Sequence, residues 1–322
     1  MKAIVIPEAG GPEVLSYQEL ADPTPGPGEL LVDVAAAGLN FIDTYHRIGL
    51  YPMEFPIVPG QEGAGTVVAL GDGVTEFSIG DQVAWAEGLG SYAELNTVTA
   101  ARAVPVLPGV GLDVAAGVIL QGMTAHYLAT DTFPLGDGDT CLIHAGAGGV
   151  GLLLTQIAAR AGARVITTVG SEDKAELSRA AGAGDVIVYT STDFKEAVED
   201  LVGPHALDVV YDGVGAATFD RSIDLLRPRG MMVTFGNASG PVPEIQPLLL
   251  ARKGSIFLTR PTLAHYVPTR EDLLGRAGDL FAWVDSGDLD VRIGARYPLE
   301  EAAEAHRALE SRRTTGKVLL IP

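Results

Sequence analysis

Cysteine is almost absent. The chain has one, Cys141, in an apolar run that reads as a buried strand. A single thiol excludes an intrachain disulfide, and six scattered His cannot complete the closely spaced ligand cluster of a structural zinc site. Long apolar runs are missing too. The 47% hydrophobic content is broken throughout by Gly, Pro and charge, and nothing approaches the roughly 20 residues of a membrane-spanning helix. The start, Met1-Lys2-Ala3-Ile4-Val5-Ile6-Pro7, carries no signal-peptide pattern. A cytoplasmic protein with no membrane partner is expected. Basic residues are scarce, 22 against 41 acidic, so the formal charge of −19 repels a phosphate backbone and no nucleic-acid partner is expected. An anionic ligand would then depend on a local cationic pocket. A Gly-x-Ser-x-Gly elbow and a thiol placed as nucleophile are also lacking, which leaves a hydrolase unsupported.

What is present is enough chain, 322 residues, for two domains of ordinary size. The first 120 or so residues are rich in Pro and Gly. They carry short β-type runs at Lys2 to Ile6, Leu30 to Ala35, Gly65 to Leu70, Gln82 to Trp85 and Tyr92 to Val98, which predicts an irregular β domain. From Gly122 the texture changes. Strand patterns at Thr140 to Ala145, Arg164 to Val169, Asp185 to Val188, Asp208 to Tyr211, Met231 to Phe235 and Ser255 to Thr259 alternate with helical ones. That alternation describes an α/β doubly wound parallel sheet of dinucleotide-binding type. Helices are expected at Arg270 to Asp285 and Leu299 to Arg312, and a last strand, Lys317 to Ile321, is expected to return to the amino-terminal domain.

The strongest motif is His144-Ala145-Gly146-Ala147-Gly148-Gly149-Val150-Gly151, between a strand and a helix expected over Val150 to Ala161. Gly146, Gly148 and Gly151 have the dinucleotide-loop spacing. A backbone that turns sharply and approaches a pyrophosphate closely has no room for side chains, and the open amides of the helix start favour the anion. The next strand ends Thr167-Thr168-Val169-Gly170-Ser171 without the carboxylate that holds the ribose hydroxyls of NAD. Ser171 can donate a hydrogen bond, and Lys174 follows within one turn to meet a 2′-phosphate, so NADPH is the expected cofactor. Glu172-Asp173 leaves open a preference for NADH. His144, alone after a strand, reads as a satisfied structural residue.

Three stretches, Asn40-Phe41-Ile42-Asp43-Thr44-Tyr45-His46-Arg47-Ile48-Gly49-Leu50-Tyr51-Pro52, the glycine loop, and Phe235-Gly236-Asn237-Ala238-Ser239-Gly240, together resemble the NADPH:quinone oxidoreductases. These are the zinc-independent, zeta-crystallin-type branch of the medium-chain dehydrogenases/reductases. The resemblance runs on through Lys253-Gly254-Ser255, Thr259-Arg260-Pro261, Thr269-Arg270-Glu271 and Glu310-Ser311-Arg312, over essentially the whole chain. It implies a GroES-like β-rich catalytic domain from residues 1–122 and 265–322, a Rossmann NADPH-binding domain at 123–264, an active site in a cleft, and a homodimer. Zinc-dependent relatives place Cys where Asn40 stands, His-Glu where Gln61-Glu62 stands, and Cys near Leu120-Gln121. Two thiolates and the imidazole are missing here, and acidic surface residues are the expected reading of Glu62 and Asp43.

The resemblance also assigns roles. Asn40 and Tyr45 would line the nicotinamide and quinone site, orienting a carbonyl without a metal. Asp43 would orient their loop, with a structural role equally open, and Arg47 would face a phosphate or be an ordinary surface Arg. Thr124 would lie near the nicotinamide. Gly146, Gly148, Gly149, Val150, Gly151, Gly170, Ser171, Lys174, Tyr189, Phe235, Gly236, Asn237 and Arg312 would bind the cofactor, with Tyr189 and Arg312 at its 2′-phosphate. The implied reaction is reduction of a quinone by NADPH, by hydride or by single electrons. Two alternatives stay open: reduction of the double bond of an α,β-unsaturated ketone or aldehyde, and a binding protein that has kept NADPH and lost turnover.

Overall fold

The computed structural model describes all of residues 1–322 and divides into two compact units, Met1–Met123 with Val267–Pro322, and Thr124–Tyr266. The first begins with β1 (Lys2–Val5), β2 (Ser16–Glu19), β3 (Glu29–Leu39), α1 (Phe41–Arg47), β4 (Glu62–Leu70), β5 (Gln82–Ala86), β6 (Leu95–Thr99), β7 (Val104–Pro105) and α2 (Leu112–Tyr127), whose last turn belongs to the second. The second holds β8 (Thr140–His144), α3 (Gly149–Arg160), β9 (Arg164–Val169), α4 (Glu172–Ala180), β10 (Asp185–Val188), α5 (Phe194–Val202), β11 (Leu207–Asp212), α6 (Phe219–Ile223), β12 (Leu226–Thr234), α7 (Pro247–Arg252) and β13 (Phe257–Thr259). The carboxyl-terminal segment adds α8 (Arg270–Asp285), β14 (Ile293–Pro298), α9 (Ala302–Glu310) and β15 (Lys317–Ile321).

In the first unit a seven-stranded sheet runs β14-β15-β3-β4-β5-β7, with β6 also on β3, and β1-β2 form a separate hairpin pair. Along β3 the residues Leu30, Val32 and Val34 alternate inward, and beyond Ala36 the strand is buried on both faces. That second half is Ala36-Ala37-Gly38-Leu39, small enough for β4 and β15 to pack on either side. Leu30, Val32, Val67, Val83, Trp85 and Val98 form one core, and Ile4, Ile6, Leu39, Tyr92, Ala305 and Leu320 a second. The last strand does return, pairing Val318 with Leu39 in antiparallel register.

In the second unit the sheet is wholly parallel, in the order β10-β9-β8-β11-β12-β13. In unit-local numbering this is 3-2-1-4-5-6, the doubly wound Rossmann order. Helix starts follow simple capping chemistry. Asp193 accepts from the Lys195 and Glu196 amides at α5, and Thr269 and Asp272 cap α8 reciprocally.

Several elements differ from expectation. The Tyr92 to Val98 run is a strand only from Leu95 to Thr99, because Ile4 takes the Tyr92 carbonyl and Ala93 bridges Ala3. The stretch after Asn40, read as a loop, is helix α1: the Asp43 carboxylate accepts the Asn40 amide at 2.9 Å and closes its first turn. Helix α3 begins at Gly149 and ends at Arg160, one residue early at each end. No helix is long and apolar enough to cross a membrane.

Candidate active site and cofactor cradle

The glycine loop sits between β8 and α3, where Ala145 takes a left-handed φ of 56° and Gly148 caps α3 with no side-chain hydrogen bond to its first amides. Gly146 donates to Thr168 O at 3.0 Å, which ties the loop to the end of β9. A Cβ at Gly146 would come within 2.6 Å of Thr167 Cβ and 2.8 Å of Ser178 Oγ, and one at Gly151 would strike Ala145 O. Two of the glycines are therefore demanded by close packing, Gly146 of the loop against β9 and α4, and Gly151 of α3 against the loop. The result is a helix start with open amides and no side chain over it, which fits a dinucleotide pyrophosphate. Val150 lies in that first turn.

Gly170 and Ser171 follow β9, with Ser171 at the N-cap of α4 and Lys174 in its first turn. Tyr189 follows β10 beside them, 42% exposed, and its hydroxyl would lie 2.9 Å from a Cβ at Gly170. Glu172, one of the two acids that left NADH open, accepts from Arg179 at 2.7 Å along the helix surface. Asp212, fully buried at the end of β11, accepts from the Val214 and Gly215 amides and from Thr218 Oγ1. It shapes the 213–215 loop, on which Phe235 and Gly236 pack: Cβ on Gly236 would strike the Gly213 carbonyl. The close approach made possible by Gly236 is thus to a neighbouring loop. Arg260 bonds Gly236 O at 3.0 Å, and the Asn237 amide, turned to satisfy its neighbours, bonds the same carbonyl and Arg260 Nη2. His144 is buried with Nδ1 on Thr168 Oγ1 and Nε2 on Ser222 Oγ, both at 2.8 Å, and burial lowers its pKa. It is a satisfied structural residue.

In the first unit the segments around Asn40, Glu62 and Leu120-Gln121 converge, and the cation among them is the ammonium of Lys317 on β15. Lys317 and Glu62 form an ion pair, 1% and 0% exposed. Asn40 Oδ1 accepts from Lys317 Nζ and Gln121 Nε2, both at 3.0 Å. Its Nδ2 donates to Glu62 Oε1 at 2.7 Å and Gly38 O at 3.2 Å. The other Glu62 oxygen accepts the Leu120 amide at 2.8 Å. Burial pushes the Lys317 ammonium below the usual lysine range, and the Asp43 carboxylate and the Glu62 contact oppose that. No group of three or more His, Cys, Asp or Glu is placed to hold a metal ion.

Behind Asp43 a second buried chain leads outward. Tyr92 Oη donates to Asp43 Oδ2 at 3.0 Å and faces His306 Nε2 at 3.4 Å, while His306 Nδ1 meets Arg47 Nη1 at 2.8 Å. Arg can only donate, so Nδ1 is the bare nitrogen and Nε2 carries the proton. Burial, aided by the Arg47 charge, pushes His306 down to about 3, and burial pushes Asp43 up to about 6 against hydrogen bonds from Asn40 and Tyr92.

These contacts correct three expectations. Glu62 and Asp43 are not surface acids; both are 0% exposed. Arg47 is neither a surface Arg nor turned to a ligand: it is 1% exposed and holds Gly10 O, His306 and Glu310. Asn40 has all four hydrogen-bonding positions filled, so it has no free N–H for an acceptor carbonyl. Lys317, Gln121, Tyr92 and His306 were missed. Each sits in an apolar or helical pattern, and their partners lie far away in sequence. Tyr45 is in α1, 7% exposed, edge-on to Tyr51 at 5.6 Å. Thr124 is in α2, and Arg312 is in the turn after α9 with φ 59°.

Comparison with known proteins agrees with this architecture. The alcohol dehydrogenase GroES-like domain family model matches residues 26–135, and the zinc-binding dehydrogenase model residues 181–320. A quinone oxidoreductase of Pseudomonas aeruginosa is 45% identical over 100% of this chain and 99% of its own, and quinone oxidoreductase 1 of Escherichia coli is 42% identical over 97% of each. A 2-haloacrylate reductase of a Burkholderia species is 40% identical over 99% of this chain and 98% of its own. Among solved structures, Escherichia coli quinone oxidoreductase complexed with NADPH superposes with a TM-score of 0.98 at 41% identity, covering 100% of both chains. A GroES-like β domain joined to a Rossmann domain, matched along its whole length at this identity, places the chain in the quinone oxidoreductase family of the medium-chain dehydrogenases/reductases.

Proposed function

We propose that this chain is an NADPH-dependent quinone reductase that works without a metal ion, with residues 1–122 and 265–322 as its catalytic domain and 123–264 as its cofactor domain. The observation that carries the reading is the open start of α3 together with a β9 that is followed by Gly170-Ser171 instead of a carboxylate. The α3 amides, those of Gly149 and Val150 among them, would hold the pyrophosphate, with Gly148 leaving it room, and Thr124, Phe235 and Asn237 would contact the rest of the cofactor. Ser171, Lys174, Tyr189 and Arg312 would hold the 2′-phosphate. When bound, the cofactor supplies hydride from its nicotinamide. The chain's own part is positioning, with Tyr45 as the group that meets the acceptor oxygen and Asp43 holding the helix that carries it. Quinone oxidoreductase relatives over the full length, one solved with NADPH, support both cofactor and acceptor. The site is proposed to operate in the cytoplasm.

The test is oxidation of NADPH and of NADH by EDTA-treated protein with 1,4-benzoquinone, 9,10-phenanthrenequinone and an alkenal in parallel. Quinone turnover selective for NADPH and indifferent to chelator is expected. A second reading is favoured by the 2-haloacrylate reductase relative, whose name describes reduction of an activated alkene. Turnover of the alkenal or of 2-chloroacrylate alone would select it, the alkene taking hydride at one carbon and a proton at the other.

The active form is proposed to be a homodimer formed through β13. This strand is the outer edge of the six-stranded sheet and presents unpaired backbone, with Phe257 52% exposed on it and Leu248 57% exposed in neighbouring α7.

A further inference from the structure

The Lys317–Glu62 pair joins residues 255 apart in sequence and lies beyond reach of water, where two charges are expensive to hold. Apolar side chains of similar size would serve stability as well or better at such a place. The space is built around the pair: Cβ on Gly38 would strike Glu62 Oε1 and lie 2.6 Å from Lys317 Cε. What the pair achieves is the orientation of one amide. Asn40 Oδ1 is pinned by Lys317 and Gln121, and Nδ2 by Glu62 and Gly38. A flipped amide would face its N–H groups to the ammonium and its oxygen to the carboxylate. Asn40 is also the N-cap of α1, the helix that carries Tyr45.

We infer that Lys317 is a positioning residue of the proposed reductase: its buried ammonium, balanced by Glu62, is the fixed cation of the site, and it sets the orientation of Asn40 and so the seat of α1 and Tyr45. This rests on the reductase reading. The cation donates hydrogen bonds along set directions and needs no assembled ligand set, so neither chelator nor added metal should alter the site's geometry. It also leaves Asn40 as a fixed support and not as a direct donor to the acceptor.

Lys317→Met, Glu62→Gln and the double variant separate this from simple charge neutralisation. Lys317→Met is expected to lower kcat about 100-fold, the scale of a 1 Å misplacement, with KM for NADPH essentially unchanged and Tm reduced by the stranded carboxylate. The double variant removes that stranded charge, so its Tm is expected to recover while kcat stays low. Recovery of kcat in step with Tm would overturn the proposal. For Lys317→Ala, ethylammonium is expected to restore turnover saturably and tetramethylammonium, which has no N–H, to do nothing; an equal response to both salts would also overturn it. Absence of quinone turnover in the unaltered protein would sink the reductase reading instead. The side-chain amide resonances of isotope-labelled Asn40 would then still report on the cation, separate and slow to exchange in the unaltered protein and collapsed in Lys317→Met. Unchanged resonances in that variant would reject the inference.

Discussion

His306 shows how a residue that is unremarkable in sequence acquires a thermodynamic signature from its place. Its folded pKa lies near 3 against an ordinary 6.5. Between those values the unfolded chain binds a proton that the folded one refuses, so stability falls as pH drops through that window. The folded pKa is lowered, hence the contribution is complete above pH 6.5 and is lost on acidification. From pH 7 to pH 4 the loss from this group is about 3 kcal/mol. His306→Gln keeps an acceptor for Arg47 and removes the titration, so urea unfolding at the two pH values should show a shallower loss than in the unaltered protein; equal losses would reject the assignment. Asp43, raised by burial, acts with the opposite sign between 3.8 and about 6 in both proteins. Cys141 gives a simpler prediction. It is buried at 0% exposure and its thiol is pushed up to about 12 by burial, so iodoacetamide should not label the folded protein and should label it once in guanidinium. Labelling of the folded chain at neutral pH would contradict this placement.

At the scale of elements, the starts of α3 and α4 are proposed to divide the cofactor between them. Gly151→Ala places Cβ against Ala145 O, so the α3 start must shift away from the glycine loop. A thermal unfolding scan and a fluorescence titration with NADPH should show loss of both stability and affinity, the latter by about 10-fold or more if one pyrophosphate-binding amide worth about 1.5 kcal/mol is lost. Unchanged affinity would mean that the α3 start is not the cradle. Lys174→Met removes a charge in the first turn of α4, the position proposed for the 2′-phosphate. KM should rise for NADPH and stay level for NADH; parallel changes would remove Lys174 from that contact. The glycine spacing and the missing carboxylate after β9 were legible because both are local, a few residues on either side of one turn. Helix α1 was not, because its start depends on Asp43 turning back to the Asn40 amide inside a buried site.

For the whole molecule, the charge of −19 keeps copies apart over most of the surface, so association should concentrate where apolar area and open backbone coincide. The β13 edge is such a place. Phe257→Asp should shift sedimentation from dimer to monomer at micromolar concentration without altering the circular dichroism, and a dimer that persists would place the interface elsewhere. The two-unit division follows from connectivity. The amino-terminal sheet is completed only when β15, starting at Lys317, joins β3, starting at Glu29, so both segments must be present before its core closes.

By itself the sequence determined the class of fold, the Rossmann strands, the glycine loop and the scarcity of metal ligands. Those are properties of composition and of spacing within one strand-loop-helix unit, where backbone geometry is dictated by neighbours along the chain. Only the tertiary structure decided what fills the place where thiolates and imidazole are missing. Asn40, Glu62, Gln121 and Lys317 lie on four separate segments, and Asp43, Tyr92, His306 and Arg47 on three. Their roles come from burial beside one another, which no local pattern encodes, because a Lys in an apolar strand reads the same in sequence whether its ammonium meets water or a buried carboxylate.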